Sequence, residues 1–176
     1  MPCAFPAILV LLAAAPAVVS PPATRVSAAG GVKWTVPRAW SDQASSAMRV
    51  ATYKVPGAKG AETGEVAVFF FGPGQGGSVD ANVERWSRQF EGTPKAERSS
   101  KLVNGLAVTM VRLAGTYLAP GGPMMQSQGK RPDFRLLGAI VEAPEGLVFF
   151  KLTGPAATVA SAQASWDALL ASLAKG

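Results

Sequence analysis

Gly72-Pro73-Gly74-Gln75-Gly76-Gly77 spells G-x-G-x-x-G between an apolar run and a segment with helical spacing. Such a turn leaves backbone N–H groups free at a helix N-terminus, where they and the helix dipole hold a phosphate. The rest of a dinucleotide site is missing. A second parallel strand ending in an acidic residue belongs about 20 residues further on. That stretch reads Lys95-Ala96-Glu97-Arg98-Ser99 and leads into a hairpin signal. Asp80 sits where it would repel a phosphate, and no P-loop lysine follows the glycines. The motif reads as a turn whose glycines take positive φ. No nucleotide or other cofactor is expected.

Ser127-Gln128-Gly129-Lys130 matches S-x-x-K, and Lys151-Leu152-Thr153-Gly154 approaches K-T-G. Penicillin-recognising enzymes use such a pair to activate a serine. Their serine opens a buried helix, whereas Ser127 lies in a Gly/Pro-rich stretch, and a Ser-Asp-Asn motif is absent. Histidine does not occur in the chain, so a Ser-His-Asp triad and a histidine-zinc site are excluded. The single cysteine, Cys3, precedes the first apolar run. Asp80 and Glu84 share a helix surface, and Glu142 and Glu145 flank a turn, so both pairs read as solvated. No catalytic residue and no metal ligand is assigned. The alternative to a binding protein is a histidine-independent hydrolase, or another enzyme built on Ser, Lys, Tyr or carboxylate groups.

The run Ala7-Ile8-Leu9-Val10-Leu11-Leu12-Ala13-Ala14-Ala15 is too short to span a bilayer, which takes about 20 apolar residues. Followed by Ala15-Pro16-Ala17, it reads as a secretory signal, although no Lys or Arg precedes it. Val26-Ser27-Ala28 is a second cleavage candidate. The expected division is a signal and leader over 1–28 and one domain over 29–176, with folding beginning near Gly31. The expected location is secreted or periplasmic, with no stable membrane span after cleavage. Of 176 residues 48% are hydrophobic and 16% charged, enough to build a core and too apolar for a disordered chain. The formal charge of +6 is scattered rather than clustered. That excludes a nucleic-acid reader and leaves an anionic envelope component, or another exported protein, as possible partners.

Val32–Val36, Met48–Val55 and Glu65–Phe71 read as strands. Ser78 is placed to cap a helix, and Val79, Val83, Trp86 and Phe90 recur on one of its faces until Gly92-Thr93-Pro94. Asn104-Gly105 between two strand-like runs is a hairpin signal. A Gly/Pro-rich loop follows over Ala119–Pro132. Two more strands, Leu136–Ala143 and Leu147–Leu152, precede a last helix striped by Val159, Ala162, Trp166, Leu169, Leu170 and Leu173. The order predicts an α+β fold: a mixed, mostly antiparallel sheet flanked by two main helices.

Trp34-x-x-Pro37-x-x-Trp40, Met48-Arg49, Asn82-x-x-Arg85-Trp86-x-x-Gln89-Phe90, Phe150-Lys151-Leu152-Thr153-Gly154-Pro155 and the closing Trp166-Asp167-Ala168-Leu169-Leu170 occur together. This pattern resembles small exported bacterial proteins of unassigned function and, more distantly, the PsbP-like α/β/α superfamily. The resemblance implies an antiparallel sheet between helices and an accessory or binding role rather than catalysis. All four tryptophans are expected in or beside the core, with Trp40 a platform only if exposed. The candidate contact surface joins Gly76, Gly77 and Ser78 with Asn82, Arg85, Gln89, Tyr117, Met124 and Met125. It requires that the glycine turn and the 115–132 segment meet.

Overall fold

The computed structural model describes residues 25–45, 48–119 and 129–176. The proposed signal, its cleavage site after Ala17, and Met124, Met125 and Ser127 lie outside these residues. Ten strands and two helices follow in the order β1 (Arg25–Ala29), β2 (Val32–Val36), β3 (Ser41–Asp42), β4 (Ala51–Val55), β5 (Gly64–Phe70), α1 (Val79–Ser87), β6 (Glu97–Val103), β7 (Leu106–Leu118), β8 (Lys130–Ala143), β9 (Gly146–Pro155), α2 (Ala156–Ala171) and β10 (Ala174–Lys175). Seven strands form one sheet in the order β3-β4-β5-β9-β8-β7-β6, and β1-β2-β10 form a smaller one. Every paired strand is antiparallel. The α+β architecture predicted above, a sheet with a helix on each side, is the one observed.

The central strands are apolar on both faces because both faces are covered. Even positions of β9, Val148, Phe150 and Leu152, join α2 and the small sheet in one cluster with Trp34, Trp166, Leu169 and Leu170. Phe149 points the other way, into a second cluster with Val83, Trp86 and Phe90. In the first cluster Trp34 meets Phe150 edge-on at 5.0 Å and 87°. The Trp34 indole donates to the Tyr53 hydroxyl at 3.0 Å, which donates to Ser27 Oγ at 3.0 Å. Ser27 belongs to β1, so the ordered chain begins upstream of Gly31. All four tryptophans are buried, Trp40 at 3% exposure, which removes the platform reading.

At the β6–β7 hairpin, Asn104 and Gly105 have φ of 47° and 78°, the two left-handed residues that a tight hairpin of this type requires. Lys130, Arg131 and Pro132, expected in the Ala119–Pro132 loop, belong instead to β8, which starts at Lys130. Pro132 is tolerated because the pairing is irregular there. Gly115 faces Phe134 and Tyr117 faces Arg131, which leaves Pro132 and Asp133 opposite Thr116 alone. Asp133 takes a φ of 59°. An extra residue in one strand shifts the alternation of faces, so Arg131 and Phe134 emerge on the same side.

Helix α1 begins as expected, with Ser78 Oγ accepting from the Ala81 N–H at 3.2 Å. It stops at Ser87, before Phe90. The chain leaves the helix because Gln89–Glu91 pairs with the end of β7: Leu118 N–H donates to the Gln89 carbonyl at 2.8 Å, and Glu91 N–H to the Thr116 carbonyl at 2.9 Å. Phe90 remains buried and packs edge-on to Tyr117 at 5.3 Å.

Candidate functional site

The predicted contact surface divides in two. Gly76, Gly77, Ser78 and Asn82 lie at or near the start of α1, and Arg85 sits in its last turn with its guanidinium turned back toward that end. Gln89 and Tyr117 lie past its end. The helix between them keeps the glycine turn and the 115–119 segment apart. Asn82 is 2% exposed and its amide donates to the carbonyls of Gly76 and Ser78, each at 2.8 Å. It locks the turn in place. Gly76 is needed on steric grounds, since a Cβ there would lie 2.8 Å from Phe71 and 3.0 Å from Phe149. Arg85 is exposed, and its guanidinium lies near Gly77.

Gln89 and Tyr117 belong to a different constellation, on the stretch of α1's own sheet face that lies beyond the helix end. A nine-residue helix is about 14 Å long, whereas the 14-residue β8 runs about 46 Å. Beyond the helix end opens a cavity of about 570 Å³, lined by Arg49, Lys54, Glu65, Tyr117, Arg131, Phe134, Lys151 and Thr153 among others. Lys151 reaches it from β9, flanked in register by Ala67 on β5 and Gly138 on β8. Both neighbours are small, which leaves the long side chain room. Gly138 also admits Trp86, whose ring would stand 2.2 Å from an added Cβ.

Lys151 Nζ donates to Gln89 Oε1 at 3.1 Å and forms no ion pair with a described carboxylate. Burial lowers its pKa from 10.5 to about 8, Arg49 pushes in the same direction, and Glu65 opposes both. Arg49 is itself engaged, donating to Glu65 Oε1 at 2.8 Å and lying 5.7 Å over the Phe69 ring. Tyr117 is 7% exposed, and burial raises its phenol pKa, helped by Glu65 and countered by Arg49. Its ring stacks on Phe134 at 5.8 Å and 5°, and the Arg131 guanidinium covers Phe134 from 5.7 Å. Arg131 is held by Glu62 at 2.6 Å. Glu62 is fixed in turn, because its carbonyl accepts from the buried Thr158 hydroxyl at 2.7 Å.

The cavity lining therefore carries four cationic side chains and one carboxylate. Thr153 Oγ1, also in the lining, is buried without a hydrogen-bond partner among the described residues. Among the described residues no three Asp or Glu side chains cluster as a metal ion would require. A second cavity of about 430 Å³, on the other sheet face, is bordered by Lys95, Glu97, Arg112 and Arg135. Those four charges are exposed and water-screened, so they offer weaker purchase.

Sequence reasoning placed Gln89 and Tyr117 on a contact surface, met Lys151 and Arg49 only inside short motifs, and gave Arg131 no role. The signal for Lys151 was a charge inside Val148-Phe149-Phe150-Lys151-Leu152, a run otherwise apolar on both faces. Nothing local announced Arg131, whose placement depends on the irregular pairing opposite Thr116.

The sheet, its two flanking helices and the antiparallel order define a PsbP-like α+β fold. The chain superposes on the solution structure of the cyanobacterial PsbP protein CyanoP from Synechocystis sp. PCC 6803 with a TM-score of 0.54, at 11% identity, over 93% of this chain and 98% of that one. It also matches a crystal structure of PA94 from Pseudomonas aeruginosa, a protein of unknown function, with a TM-score of 0.50, at 14% identity, over 84% of this chain and 94% of that one. These likenesses are to the fold. No family model matches the sequence, and no curated protein matches it. Among the described residues no helix is long and apolar enough to cross a membrane.

Proposed function

We propose that this protein is an exported, non-catalytic binding or accessory module that holds a small anionic ligand in the Lys151 cavity. The observation that carries this reading is Lys151 itself, a half-buried amine facing a cavity with a single neutral partner, Gln89. Burying a cation costs free energy unless a partner compensates for it, and an anion entering the cavity supplies that partner. The apolar stretch ahead of Ala17 supports export. Cleavage after Ala17 leaves β1 whole, whereas cleavage after Ala28 removes Arg25 and Ser27 and the contacts they make with Asp42 and Tyr53.

A second reading, a histidine-independent enzyme, draws on one observation. The cavity holds a lysine that sheds its proton easily and a tyrosine that keeps its own, the pairing that proton transfer exploits.

Native mass spectrometry of the protein expressed with its full leader tests the binding reading, with succinate as the titrated anion. The expected result is an N-terminus at Val18 and one succinate per chain, bound at least about ten-fold more weakly by Lys151→Met, since each 1.4 kcal/mol is a factor of ten. A soluble product that retains Met1 overturns export. Equal binding by both proteins, or by neither, overturns the cavity assignment.

A further inference from the structure

We infer that Lys151 is a covalent attachment site for small carbonyl compounds carrying a carboxylate, such as 2-oxo acids, which it captures as an imine. The inference rests on the anion-binding reading of the cavity and adds a bond to it.

Three features of the geometry converge on this chemistry. The Lys151 side chain rises between the small residues Ala67 and Gly138, with Trp86 packed over Gly138, and lines the cavity. Its one acceptor is a neutral amide oxygen, so no carboxylate fixes the nitrogen in its ammonium form. The lining is cationic on balance, since Arg49 is paired with Glu65 and Arg131 with Glu62 while Lys54 and Lys151 add two further positive charges, and this draws a carboxylate. Tyr117 lines the same wall and keeps its proton. The lowered basicity of Lys151 adds to this, because a larger fraction of the amine is neutral near pH 8.

The step balances without an oxidant or reductant. The nitrogen lone pair forms a bond to the carbonyl carbon, and the carbonyl oxygen takes up a proton. The resulting carbinolamine loses that oxygen as water, carrying both protons that the neutral amine gave up, and a C=N bond remains. Tyr117 is the proton donor within reach of the same cavity, and the water leaves through its open mouth.

Glyoxylate with cyanoborohydride tests the inference on the unaltered protein, since reduction freezes the imine as a stable secondary amine that peptide mapping locates. Lys151 is expected to react at least about ten-fold faster than any other lysine in the folded chain. Excess succinate is expected to slow Lys151 alone, and formaldehyde, which has no charge, is expected to favour Lys151 less than glyoxylate does. Labelling spread evenly over the lysines, or of Lys151 only after denaturation, overturns the inference. If succinate still binds and is weakened by Lys151→Met, that failure touches only the covalent step. If succinate does not bind either, the cavity reading falls with it.

Discussion

The two faces of the seven-stranded sheet are built from alternate residues of the same strands, yet they end in different states. On the face closed by α2 and β2, Phe150, Trp34, Trp166 and Leu169 fill the interface, and each is at most 3% exposed. On the other face α1 covers Gly138, Ile140 and Phe149, then stops, and the next stretch of sheet carries Lys151, Thr153 and Glu65. The difference comes from helix length. Sixteen residues of α2 span much of the sheet, and the nine of α1 do not. A polar site arises where the covering layer runs out, with Gln89 and Tyr117 brought to its edge by the short pairing that ends the helix.

The largest effect that would sharpen this contrast is on the closed face. Phe150→Ala empties the space against Trp34 and is expected to cost about 3–5 kcal/mol in urea denaturation, as aromatic truncations in packed cores do. A loss below about 1 kcal/mol would mean that the α2 face is not close-packed and would dissolve the contrast.

A smaller effect belongs to the open face and depends on pH. The Lys151 pKa is about 8 in the folded chain against an ordinary 10.5. Below pH 8 both states carry the proton and the folded state bears the full cost of the buried charge. Between these values the unfolded chain binds more protons, so stability rises with pH, by an amount on the order of 2–3 kcal/mol. Tyr117 acts in the opposite sense above pH 10, where the unfolded phenol ionises first. The expected outcome is a rise in unfolding free energy from about pH 8 to about pH 10 that Lys151→Met abolishes. An identical slope in the variant would place the titration elsewhere.

Much of the fold was legible from spacing. Alternation marked β2, a run apolar on both faces marked β5, the stripe from Val159 to Leu173 marked α2, and Asn104-Gly105 marked a hairpin whose dihedral angles are as expected. What escaped was what depends on distant partners. β1, with Ser27-Ala28-Ala29, reads as leader until β2 is seen beside it. Pro132 reads as loop because only the facing strand reveals an irregular pairing. The end of α1 was placed too late because Phe90 keeps the helical spacing although it is buried by the turn that follows. The site suffered most, since it joins residues from β5, β7, β8 and β9 with the turn after α1. Only Lys151 left a mark in its own strand.

The most direct measurement is an NMR titration of the Lys151 side chain, followed at Cε, with and without succinate. The account predicts a midpoint near 8, well apart from the remaining lysines, that moves upward when the anion binds. A midpoint alongside the other lysines, unmoved by succinate, would contradict it.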